Sequence, residues 1–168
     1  MTKRLILTRH AKSSWDDPAT SDHDRPLNAR GRGAAVDLGL WLASRGYVPD
    51  EVLCSDAVRT RETWEGIAPA LPGTPNLIMK PALYQAGTEV MLAVLRHAKG
   101  DTVMVLGHNP GIADFARRIV AQPPAHPHFS RYPTAATLVT SFEIDDWSEV
   151  GFGMGAVRDF IIPREIVA

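Results

Sequence analysis

Apolar runs and polar punctuation alternate along this chain in a way that predicts strands that each feed a helix. Leu5-Ile6-Leu7 runs directly into Thr8-Arg9-His10, and a short apolar run of this kind reads as a buried strand whose carboxyl end carries two bases. Ser14 to Asn28 is rich in Asp, Pro and Ser, which predicts a loop over the sheet edge, long enough to act as a lid. Val36, Leu38, Leu40, Trp41 and Leu42 then set helical spacing over Ala34 to Ser44, with Gly46 as the stop. A strand at Val52 to Cys54, a helix from Val58 to Ala68 and a strand around Leu77 to Met79 follow. Thr88 opens an amphipathic helix through Val94 and Leu95, and Val103 to Leu106 reads as a further strand. Pro110 suits the first turn of a helix running through Phe115 and Ile119, where its missing N–H goes unused anyway. Ala121 to Pro133, with several prolines, predicts an ordered loop. Thr137 to Ile144 and Ala156 to Ile162 flank a Gly-rich turn and predict an antiparallel hairpin at the edge of an otherwise parallel sheet.

This βαβα order predicts an α/β fold: a three-layer αβα sandwich with a mostly parallel central sheet and an antiparallel edge, built as a single domain over residues 1–168. Hydrophobic residues make up 45% and charged residues 22% of the chain, with a formal net charge of -1. No broad basic character is left to hold a nucleic-acid backbone. Cys54 is the single cysteine, so no internal disulfide forms, and its apolar run predicts a buried thiol rather than a nucleophile. With no secretory leader pattern and no run of apolar residues long enough to span a bilayer, the expected location is the cytoplasm, away from membranes.

Candidate chemistry sharpens this picture, because three predicted strand-to-helix junctions each carry a base. Arg9 and His10 end the first strand, Ser55-Asp56-Ala57-Val58-Arg59-Thr60 follows the second, and Gly107-His108-Asn109-Pro110 follows the fourth. Open α/β sheets bind their ligands at the carboxyl ends of the strands, so these residues are expected to share one site.

Taken together the chain resembles the histidine phosphatase superfamily, whose hallmark is an Arg-His pair after the first strand. It is most similar to the SixA-like phosphohistidine phosphatase branch, through Arg25-Pro26-Leu27-Asn28-Ala29-Arg30-Gly31, the Ser55 to Thr60 segment, Gly107 to Pro110 and the late Tyr132-Pro133-Thr134-Ala135-Ala136. The resemblance implies a phosphoglycerate mutase-like fold, with His10 as nucleophile, Arg9, Arg59 and His108 as further catalytic and phosphate-binding residues, and Arg25 as a phosphate or substrate contact. Arg25 can alternatively anchor its own loop through Asp22 or Asp24. The resemblance implies hydrolysis of a P–N bond through a transient phospho-His10.

Elementary chemistry is consistent with these roles. Guanidinium groups stay charged and grip phosphate oxygens with two coplanar donors, and phosphoryl transfer depends mostly on positioning and charge stabilisation. Neighbouring arginines are expected to lower the His10 pKa and keep a lone pair available, while a backbone carbonyl fixes the other ring nitrogen. Two departures from the superfamily stand out: Ala11 where Gly is common, and no clear acidic residue in Pro81-Ala82-Leu83-Tyr84-Gln85 where mutase-like members carry a proton donor. Asp16, Asp17 and Glu89 are the other carboxyl candidates. A weak acid requirement favours phosphohistidine, because imidazole leaves more readily than an alkoxide. The expected partners are therefore a phosphohistidine-bearing signalling protein or a phosphorylated small molecule, with neither cofactor nor metal. His126-Pro127-His128 resembles a metal-ligand pair, but Pro restricts it and two arginines would repel a cation. The alternatives are a sugar-phosphate or other small-molecule phosphomonoesterase of the same superfamily and a non-catalytic phosphate-binding module.

Overall fold

Side-chain alternation along the first strand explains the layering. In the computed structural model, which describes residues 1–166, Leu5 and Leu7 of β1 (Thr2–Arg9) enter one apolar core and Ile6 enters another on the opposite face. Val103 and Val105 against Met104 and Leu106 repeat the split on β4 (Thr102–Gly107), and Leu53 against Val52 and Cys54 on β2 (Glu51–Cys54). Strands buried on both faces read as continuous apolar runs, which is why the sequence shows no polar alternation here.

One face is covered by α1 (Ala29–Ser44) and α2 (Val58–Ile67), through Leu38, Trp41, Leu42, Trp64 and Ile67. Helices α3 (Thr88–Arg96) and α4 (Gly111–Ile119) cover the other, through Met91, Leu95, Ile112 and Phe115. The two helices α1 and α2 approach closely because Gly39 has no side chain: a Cβ there would sit 2.5 Å from the Ile67 carbonyl oxygen. The remaining strands are β3 (Asn76–Met79), β5 (Thr137–Glu143) and β6 (Ala156–Ile161). The sheet order is β3-β2-β4-β1-β5-β6, parallel from β3 to β1, with β5 antiparallel to both β1 and β6. This is the predicted αβα sandwich with its antiparallel edge. The last two residues of the span expected as a single domain, 167 and 168, lie outside the described residues.

Two helix starts differ from the sequence reading. Helix α1 starts at Ala29, a full turn before the expected Ala34, because Asn28 caps it by accepting the Gly31 N–H at 2.8 Å. Pro110 stands at the N-cap rather than inside α4. No helix among the described residues is long and apolar enough to cross a membrane.

Candidate active site

The sheet order places the three base-bearing strand ends side by side, since β2, β4 and β1 are adjacent and parallel. Their carboxyl ends open into a cleft of about 410 Å³, lined by Arg9, His10, Arg25, Arg59 and His108 among others. All five side chains expected at the site therefore line one cleft.

His10 is fixed by its own neighbour. Its Nδ1 lies 2.7 Å from the Ala11 carbonyl oxygen, which can only accept, so Nδ1 carries the proton and Nε2 keeps a lone pair. Burial pushes the His10 pKa down to about 3, opposed by the Ala11 bond and assisted by the charges of Arg9, His108 and Arg59. Desolvation, rather than the arginines invoked from sequence, is thus the leading cause. Ala11 costs nothing here: its methyl group is fully buried in the α1–α2 core, its N–H donates to Thr63 Oγ1 at 2.9 Å, and its backbone stays out of the left-handed region.

His108 follows β4, with its ring centroid 5.3 Å from that of His10. Its Nε2 meets Ser55 Oγ at 2.7 Å. The Ala57 N–H also donates to that oxygen, at 3.4 Å, so the Ser55 hydroxyl ties the His108 ring to the start of α2. Burial, followed by the charge of Arg59, pushes the His108 pKa down to about 4. A neutral ring still offers one N–H, so His108 can donate to a phosphoryl oxygen without a buried charge.

The two arginines are held by main-chain oxygens. Arg9 Nη1 donates to the Tyr132 carbonyl at 3.1 Å, which also receives Asn109 Nδ2. Tyr132 and Ala135 have φ of 50° and 61°, a left-handed conformation that costs non-glycine residues energy and that frames this anchoring segment. Arg59 Nη1 donates to the Asp22 carbonyl at 2.6 Å, and its Nη2 to Asp22 Oδ2 at 3.1 Å. Among the described residues, five buried side-chain polar atoms lack a partner. Four of them, Arg9 Nε, Arg59 Nε, His108 Nδ1 and Asn109 Oδ1, belong to residues lining the cleft. The two guanidinium nitrogens are donors, and His108 Nδ1 is a third when it carries the ring proton, the complement that an oxyanion needs.

Arg25 is spent on its loop. It reaches Asp22 Oδ1 through Nε and Nη2 at 3.2 and 3.0 Å, donates to Ser13 Oγ, and lies 3.6 Å from the centre of the Trp15 ring. The alternative role of loop anchor is therefore realised, although the side chain still lines the cleft. Asp22 is the residue whose reach the sequence did not betray, since nothing in the spacing ties position 22 to Arg59 or Tyr84. The Tyr84 hydroxyl, 2.5 Å away, and then Arg25 and Arg59 hold the Asp22 carboxyl far below the usual carboxylate range. Ser55 was visible only as part of a motif; its contact to His108 gives it a positioning role.

The other carboxyl candidates lie elsewhere. Asp17 caps Ala19 N–H and Glu89 pairs with Arg118 at 3.0 Å, and neither they nor Asp16 line the cleft. His126 pairs with Glu165 at 3.0 Å and His128 accepts from Arg164, so the His-Pro-His segment is committed to other partners. Among the described residues no three His, Cys, Asp or Glu side chains gather as a metal site. Cys54 is buried, and burial pushes its thiol up to about 12, away from nucleophilic use.

Comparison with known proteins decides the family. Residues 5–84 match the model of the histidine phosphatase superfamily (branch 1). An uncharacterised protein of Mycobacterium tuberculosis is 30% identical over 164 residues, covering 93% of this chain and 99% of that protein. The chain belongs to the histidine phosphatase superfamily. Within it the chain is SixA-like, with a phosphoglycerate mutase-like fold. A structure from Nakamurella multipartitia assigned as phosphohistidine phosphatase SixA superposes with a TM-score of 0.80 at 27% identity, covering 97% of both chains. An uncharacterised chloroplastic protein of Arabidopsis thaliana is 37% identical over 122 residues, 66% of this chain, and the match spans 56% of that protein's length.

Proposed function

We propose that this histidine phosphatase hydrolyses phosphohistidine on a partner protein through a phospho-His10 intermediate. The observation that carries the proposal is the His10 ring, with Nδ1–H held by the Ala11 carbonyl and Nε2 left as a lone pair beside Arg9, Arg59 and His108. Nε2 attacks phosphorus in line, and the P–N bond to the substrate's ring breaks as that ring, already protonated on its other nitrogen, departs as neutral imidazole. Arg9, Arg59 and the Nδ1–H of His108 balance the charge of the phosphoryl oxygens. The phosphorylated His10 ring is then a cation whose Nδ1–H is stabilised by the Ala11 carbonyl. Water attacks phosphorus, the P–Nε2 bond breaks, and His10 leaves as the neutral ring it began as, so neither displacement requires a carboxylic acid.

The carboxylate inventory supports the substrate class. Among the described residues Asp22 is the one carboxylate lining the cleft, and Tyr84, Arg25 and Arg59 keep it ionised, without a proton to give. An alkoxide leaving group would need that proton, whereas imidazole does not. Exposure of the rim supports a protein substrate: Trp15 is 75% exposed beside the cleft.

The test is a single-turnover assay with a phosphohistidine protein and a sugar phosphate in parallel, following labelled phosphoryl onto the enzyme. Rapid, acid-labile labelling from phosphohistidine, abolished in His10→Ala, is the expected result. Faster labelling from the sugar phosphate would move the assignment to a phosphomonoesterase. Tight phosphate binding without any labelling would make the cleft a binding module.

A further inference from the structure

Beside the cleft runs a second groove of about 290 Å³ that shares Lys12 and Thr134 with it. Its walls bring cations from three distant stretches of the chain: Lys12 after β1, Arg30 in α1 and Arg164 after β6. All three are exposed, and among the described residues none makes an ion pair. Glu165, adjacent to Arg164, is drawn away to His126 and to the Ile162 N–H. Helix stability does not account for Arg30, because a cation in the first turn opposes the macrodipole. Between the cations the groove is apolar, with Ile162 and Pro163 along it. Arg164 donates to His128, which lines the same groove, and none of the three cations has an acidic partner among the described residues. A surface that keeps three positive side chains without a carboxylate around an apolar strip, continuous with a phosphoryl site, is complementary to a ligand both acidic and apolar.

We propose that this groove receives the stretch of a partner protein next to its phosphohistidine, and that it selects a stretch carrying an acidic side chain beside an apolar one. The proposal rests on the phosphohistidine reading above and adds a specificity element to it. Lys12, common to both cavities, links the two: a side chain leaving the phosphoryl site passes it on the way into the groove.

The test uses two phosphohistidine peptides that differ only in having Glu or Gln next to the phosphorylated residue and a neighbouring Leu, with free phosphoramidate as a substrate too small to reach the groove. The full-length enzyme is compared with the double variant Arg30→Gln/Arg164→Gln. The wild type is expected to favour the Glu peptide in kcat/KM, mainly through KM, by roughly 3- to 30-fold, the range for two partly exposed ion pairs. The double variant is expected to lose that preference while hydrolysing phosphoramidate at the wild-type rate. Equal use of both peptides by the wild type, or an equal slowing on phosphoramidate, overturns the groove assignment and leaves the phosphohistidine reading standing. Binding of the same peptides to His10→Ala separates the opposite case: a Glu preference there, without turnover of any P–N substrate by the wild type, keeps the groove and removes the phosphohistidine reading.

Discussion

The two ends of the same parallel strands are built on opposite terms. At the amino end of β1, β2 and β4 the buried charges, Lys3 and Glu51, have partners. Lys3 meets Asp101 at 2.6 Å, buried Glu51 accepts the N–H groups of Lys99 and Gly100, and Asp50 accepts that of Thr102. At the carboxyl end, Arg9, Arg59, His108 and Asn109 keep buried polar atoms without one. Unpartnered buried donors each cost stability, on the order of 1–3 kcal/mol. Among the described residues four of the five such atoms gather at this one edge of the sheet, the fifth being Thr140 Oγ1 on β5, which marks the edge as functional and the other as structural. Substitutions at the two edges should therefore separate cleanly into effects on rate and effects on folding.

The largest separation is expected for Arg59→Ala. Removing a guanidinium that faces the phosphoryl oxygens should lower kcat/KM by roughly 10²- to 10³-fold, measured on a P–N substrate, with the urea midpoint unchanged or raised because Asp22 regains water. A midpoint that falls sharply would show Arg59 to be structural and would erase the contrast.

At the other edge, Glu51→Ala leaves two N–H groups without their acceptor. We expect a loss of about 1–3 kcal/mol of stability by urea denaturation, with kcat/KM unaltered. A drop in turnover per folded molecule would mean that the two ends communicate.

The third effect is graded with pH. His10 and His108 have folded pKa values of about 3 and about 4, against an ordinary 6.5. Below pH 6.5 the unfolded chain binds protons that these buried rings do not, so stability is full above that value and falls as the solution is acidified toward pH 4. Each ring contributes a slope of about 1.4 kcal/mol per pH unit in that window. Chemical denaturation at pH 7, 6 and 5 reads the slope, and His108→Asn should remove about half of it. A flat profile would show that the rings are not buried in solution.

Much of this was legible in the sequence, for a physical reason. Buried parallel strands write continuous apolar runs, and a ligand site at their carboxyl ends must write its side chains immediately after those runs. Arg9, His10 and His108 were therefore readable by position as well as by type. Arg59 lay in the first turn of the following helix, and its motif supplied what periodicity could not. Asp22 and Tyr84 were not readable, because their role exists only where the loop before α1 meets the turn before α3, and no periodicity links positions 62 residues apart. The groove beside the cleft was illegible on the same grounds: Lys12, Arg30 and Arg164 are brought together by tertiary structure alone.

The loop that carries Asp22 and Arg25 has a narrow neck. Ser13 bridges Leu27, Ser14 N–H donates to the Pro26 carbonyl at 2.8 Å, and Asn28 N–H to the Lys12 carbonyl at 3.0 Å. Gly31 completes the joint, since a Cβ there would lie 2.0 Å from that same Lys12 oxygen. A ring closed so tightly at its base is a cassette. Its interior can be lengthened, shortened or rewritten in the course of evolution while the strand exit bearing His10 and the start of α1 stay welded together. New substrates can be tried on an old catalytic frame so long as Asp22 stays in place to hold Arg59.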